Sequence, residues 1–128
     1  MTTRLSILLI FLILIDCSDY ETETYTSKTG NYSVKATVNR TNKKAEDYSY
    51  VIIHIYNKNK EEIQKINSRA GDLNKWSLGW TPCGDTIILQ NSDIGDQAWT
   101  IIDGEARNIE MTKELYERAK ELKKENYK

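Results

Sequence analysis

The sequence predicts an α+β fold, an antiparallel β-meander sheet of about six strands with a C-terminal amphipathic helix packed on it. Three observations predict it. Apolar residues alternate with polar ones from Asn31 onward, the signature of half-buried strands. Turn-forming clusters interrupt that alternation at short intervals. The spacing becomes helical only after Thr112. With 128 residues, one Pro and six Gly, the chain suits one small domain and excludes collagen-like or linker-rich readings. Its 18 Lys and Arg against 19 Asp and Glu give a net charge of -1, so no chain-wide basic field exists to draw in nucleic acid.

The first strand places Tyr32, Val34, Ala36 and Val38 on one face and Ser33, Lys35, Thr37 and Asn39 on the other. A charged loop, Arg40 to Asp47, precedes Ser49 to Tyr56, which is apolar on both faces and β-branched, as a central strand requires. Asn57 to Lys60 form a turn, and Glu61 to Ile66 alternates less cleanly, predicting a bulge or a short edge strand. Lys75 to Trp80 sets Trp76, Leu78 and Trp80 on one face. After a turn at Thr81 to Asp85, Thr86 to Gln90 forms another apolar strand. Ala98 to Ile102 and Glu105 to Ile109 pair across Asp103 and Gly104, a strong hairpin signal. Thr112 then caps a helix to about Asn126, whose stripe of Leu115, Ala119 and Leu122 is expected to dock on the sheet. Lysines on its other face could meet anionic lipid, but interleaved Glu residues cancel most of that field.

The stretch from Trp76 to Ile109 resembles one β-propeller blade, carried by Trp80, Pro82, Gly84, Asp85, Ile87, Ile88, Trp99, Ile101, Asp103 and Gly104. A closed propeller needs at least about four blades of some 40 residues, more than this chain holds. The resemblance therefore implies a twisted antiparallel meander and no propeller function.

At the N-terminus, Arg4 precedes an apolar run from Leu5 to Ile15 broken only by Ser6, the layout of a secretory signal. A bilayer span needs about 20 apolar residues, so this run is too short to cross. It ends in Leu14, Ile15, Asp16 and Cys17, which resembles the lipobox of bacterial lipoprotein precursors. Leu14 and Cys17 match that pattern, and Asp16 departs from it, since the family favours a small residue there. The resemblance implies cleavage before Cys17, a diacylglycerol on its thiol and a lipid-anchored protein of the bacterial envelope; plain secretion is the alternative. The expected organisation is a signal peptide over 1–16, a lipidated Cys and polar tether over 17–30, and one domain over 31–128. The polar stretch from Ser18 to Gly30 reads as that tether, reaching roughly 40 Å when extended, or alternatively as an edge strand, which its Thr and Tyr residues suit.

Cys17 and Cys83 are the only cysteines, so lipid on Cys17 leaves Cys83 a lone thiol, and a bridge between them is the other reading. His54 is the only His, which argues against a zinc cluster, and nothing in sequence joins it to Cys83 as a catalytic pair. Asn91, Asp93 and Asp96 crowd one loop without the EF-hand spacing, so Asx turns are expected there rather than calcium. No phosphate loop or nucleophile elbow occurs, and neither enzyme activity nor a cofactor is expected. All eight Tyr and all three Trp lie beyond the signal. Such aromatics serve either as the core of a domain short of Leu and Phe or as interface anchors. Trp76, Trp80, Tyr50 and Tyr56 are the candidate anchors for a protein partner in the envelope, as in an immunity protein or a hydrolase inhibitor. A structural or assembly lipoprotein of a larger envelope complex is the alternative.

Overall fold

The computed structural model describes residues 18–126. The segment expected to be a signal peptide, Cys17 and the lipid or bridge expected at Cys17 lie outside the described residues. Among the described residues nine strands precede one helix: β1 Tyr20–Glu21, β2 Tyr25–Thr26, β3 Ser33–Val38, β4 Tyr50–Tyr56, β5 Glu62–Gly71, β6 Trp76–Trp80, β7 Thr86–Asn91, β8 Gln97–Ile102, β9 Glu105–Ile109 and α1 Lys113–Asn126. The α+β class and the helix docked on a sheet are as the sequence predicts.

The strands form two sheets rather than one of about six strands. In the first sheet β3, β4 and β5 pair in order, and β1 and β2 both pair with the outer edge of β3. The second sheet is the meander β6-β7-β8-β9. The break falls at the turn after Gly71, where the chain leaves β4's partner and starts a strand that pairs only forward, with β7. The polar tether is likewise corrected in part. Tyr20 pairs with Val38 and Tyr25 with Val34, so the segment from residue 20 is the edge strand of the first sheet. Two of its three acids also find partners: Asp19 accepts from the Arg40 amide at 2.9 Å and the Thr41 hydroxyl at 3.0 Å, and Glu21 pairs with Lys35.

The two sheets stack face to face. Val34, Ala36, Val38, Val51, Ile53 and Ile55 from the first meet Leu78, Trp80, Ile87, Leu89, Trp99 and Ala106 from the second, all buried. The second sheet is covered on its other side too, by α1, where Ile88 and Ala98 contact Ala119 and Leu122. That double coverage explains why Thr86 to Asn91 is buried on both faces. Helix and sheet approach closely at Gly79, whose missing Cβ would sit 2.4 Å from Leu122 Cδ2. The hairpin at Asp103 and Gly104 has both residues at positive φ, 52° and 76°, the geometry a tight two-residue connection requires. β4 to β5 carries two register shifts, in keeping with the bulge expected from the irregular spacing after Glu61.

Candidate functional site

A two-sheet sandwich has two lateral seams, and this one treats them differently. Along the β5 and β9 seam, the Gln64 side chain accepts from the Ala106 amide at 2.9 Å and donates to the Ala106 carbonyl at 3.4 Å. One amide side chain thus stands in for a strand and satisfies the outer edge of β9 at that residue.

The opposite seam, between β1, β2 and β6, is a groove. Thr81 donates to the Thr86 carbonyl at 2.9 Å, so by antiparallel alternation Gly79 and Ser77 are the next hydrogen-bonded partners of β7. Trp76, Leu78 and Trp80 therefore turn their N–H and C=O groups away from β7, along the free edge. At Trp80 that carbonyl accepts Arg118 Nε at 2.9 Å, and the Trp80 indole donates to the Tyr25 carbonyl at 2.9 Å, closing this end. Toward Trp76 and Leu78 the edge is open among the described residues. Two adjoining cavities of about 550 and 430 Å³ run along it, sharing Tyr25, Leu78 and Asn126. One wall is the β1 and β2 segment, the other the C-terminal half of α1.

Trp76 is half-buried at the open end and fixed from two sides. Its indole donates to Asp72 Oδ1 at 2.9 Å, and the Tyr20 ring meets it edge-on, centroids 5.8 Å apart at 80°. Arg40 clamps Asp72 through Nε at 2.7 Å and Nη2 at 3.2 Å while lying 4.8 Å from the Tyr20 ring. The Asp72 hydrogen bond holds the Arg40 guanidinium above its ordinary pKa, with burial opposing it. Burial raises the Tyr25 phenol, helped by the Glu23 charge. Beside this rigid cluster Leu73 is 96 % exposed, an apolar side chain with almost no contact. Ser77, which also lines the groove, is 3 % exposed, and its Oγ finds no hydrogen-bond partner among the described residues.

The four sequence-derived anchors do not form one site. Trp76 belongs to the groove, but Trp80 is 6 % exposed and part of the core between the sheets, which corrects its reading as an anchor. Tyr50 and Tyr56 lie at the two ends of β4 on the outer face of the first sheet, half-buried beneath Arg69 at 5.7 Å and Lys35 at 5.8 Å. Tyr20, Tyr25, Arg40, Asp72 and Leu73 were not singled out by sequence. A lone Leu between Asp72 and Asn74 in a turn was the one visible signal.

His54 has both ring nitrogens engaged, by Thr37 Oγ1 at 2.7 Å and Glu62 Oε1 at 2.5 Å. The chain of hydroxyl, imidazole and carboxylate spans β3, β4 and β5, but neither cavity is lined by any of the three, so it acts as a cross-strand ladder. Cys83 is exposed in the β6 to β7 turn. In the loop after β7, Asn91 Oδ1 accepts from the Ile94 amide, and Asp96 and Asp93 cap the amides of Asn91 and Gly71. Those oxygens are occupied by backbone donors, two within the loop and one reaching across to the end of β5, rather than by Asx turns. Among the described residues no group of three or more His, Cys, Asp and Glu side chains is placed to hold a metal ion, and no helix is long and apolar enough to cross a membrane.

Fold and site together define a helix-backed β-sandwich with one seam bridged by Gln64 and one open among the described residues. No family model, curated protein or solved structure matches the chain.

Proposed function

We propose that the protein is a binding module of the bacterial envelope, anchored by lipid on Cys17 and capturing a protein partner through the open seam along β6. The anchor rests on the lipobox-like run ending in Cys17; the binding reading rests on the seam. The observation that carries it is the contrast at the open end, where a fully exposed Leu73 stands beside a Trp76 ring locked by Asp72 and Tyr20. Apolar rim residues next to a pre-organised aromatic reduce the ordering cost of association, which is how binding hot spots work. Capture of this kind suits an immunity or inhibitor role, in which a short-leashed domain occludes another protein.

Leu73→Asp, with Ile102→Asp as the control, tests it. Ile102 is also exposed, at 46 %, but lies at the β8 to β9 hairpin outside the groove. In cross-linked membranes the partner should co-purify with the wild type and with Ile102→Asp, and be lost with Leu73→Asp. Retention in Leu73→Asp would contradict the seam as the binding surface.

A further inference from the structure

We infer that the seam takes its partner as a strand: an extended segment of alternating apolar and acidic residues pairs with the open edge of β6. The inference rests on the binding reading above and adds the mode and chemistry of recognition.

Main-chain geometry is the first ground. Both residues of the open edge, Trp76 and Leu78, direct a donor and an acceptor into the groove, which offers about four ladder hydrogen bonds to an added strand. Part of the remaining edge is covered by side chains. Gln64 occupies the Ala106 position of β9, and Arg118 and the Trp80 indole close the far end of β6. An uncovered edge is an aggregation hazard that proteins suppress, so one left open beside a cavity is suited to a partner. The five residues of β6 span roughly 17 Å, the length of a short peptide strand.

Side chains of an added strand would alternate. Those directed between the sheets meet Tyr25, Leu78 and Trp76 and should be apolar. Those on the other side face α1, where Ser77 keeps its unpartnered Oγ and Arg118 lies. The charge of the lining sets their sign. Arg40, Lys75, Lys28 and Arg118 outnumber Asp72 and Glu125, although the whole chain carries -1. Asp72 pairs with Arg40, and Arg118 is shared by Glu125 and Glu121, so the lining keeps only a small net positive charge, to which Lys28 contributes. A positive groove disfavours a second copy of itself and favours acidic residues in the occupant.

The test uses the full-length chain in detergent micelles, labelled for amide NMR, and end-blocked heptapeptides alternating valine with glutamate or valine with lysine. The glutamate peptide should bind and slow exchange of the Trp76 and Leu78 amides by about tenfold or more, with the lysine peptide about tenfold weaker. N-methylation of the peptide on the edge that faces β6 should abolish binding. Shifts confined to Tyr50, His54 and Tyr56, equal binding of the two peptides, or no binding of either at about 1 mM would each overturn strand addition. So would slow Trp76 and Leu78 exchange without peptide in a sample of doubled mass, because a second copy would then fill the edge. A partner lost with Leu73→Asp while both peptides fail would overturn only this inference; a partner indifferent to Leu73→Asp would overturn the binding surface itself.

Discussion

Gly79→Ala tests the docking of α1 on the second sheet. The added Cβ would lie 2.4 Å from Leu122 Cδ2, 3.1 Å from Cδ1 and 3.4 Å from Cγ, where ordinary contact begins near the last of these values. Leu122 is 3 % exposed, so its methyls have no open side to move into. Overpacking of this size costs about 1–3 kcal/mol. Replacing Gly in a strand returns about 0.5–1 kcal/mol of backbone entropy. An approach as short as 2.4 Å falls in the upper part of the overpacking range, about 2–3 kcal/mol, so the net expectation is a loss of about 1–2.5 kcal/mol, small enough to leave the protein folded. Leu122→Ala alone should cost about 2–5 kcal/mol through the cavity it leaves. In the double variant the new methyl at 79 enters that cavity, so the combined loss should fall short of the sum by about 1 kcal/mol or more. Urea unfolding followed by tryptophan fluorescence reads all three, provided the m-values agree. A neutral Gly79→Ala, or a double variant additive within about 0.5 kcal/mol, would refute the close contact between β6 and α1.

Further expectations follow from other contacts. Trp80→Ala should cost about 3–5 kcal/mol, a core loss seen in urea unfolding, whereas Leu73→Asp should change stability by no more than about 0.5 kcal/mol. Gln64→Ala uncovers the Ala106 amide and carbonyl on β9, and should cost about 1–3 kcal/mol and promote self-association in sedimentation experiments. Acid should loosen the N-terminal edge strand: hydrogen bonds from the Arg40 amide and Thr41 hydroxyl lower the Asp19 pKa, and the Lys35 hydrogen bond lowers that of Glu21. Depressed carboxylate pKa values add stability above the unfolded value and lose it as pH falls through the folded one, so amides of residues 20–22 should lose exchange protection below about pH 4 while β7 stays protected.

Much of this fold was legible because it is local. Period two in Ser33 to Val38 fixes which side chains are buried, and the structure alternates there residue by residue. Asp103 and Gly104 specify their hairpin through positive φ, and the stripe of Ala119 and Leu122 specifies the buried side of α1. What stayed hidden depends on pairing between distant segments. Whether β6 continues the first sheet or begins a second is decided by β7 and by the packing of Trp80, Ile87 and Leu89 against Val34 and Ile53. Tyr20 and Tyr25 sit in a polar stretch with little to bury, and become strands only because β3 offers a free edge. For the site, period two placed Trp76 and Trp80 on one face correctly, but burial separates them. Trp80 sits at the sealed end of β6 and Trp76 at the open one. Tyr50 and Tyr56 share a face on the far side of the other sheet. The groove itself joins residues 20, 25, 40, 72 and 76, a set no local pattern could assemble.

The central claim is that the open end of β6 is where a partner sits. Site-specific photo-crosslinkers introduced at Leu73, Tyr50, Ile102 and Tyr116 in turn, and activated in intact cells, address it directly. The account predicts a discrete adduct from position 73 and none from the other three. An adduct from position 50 without one from position 73 would move the binding surface to the outer face of the first sheet and contradict the account.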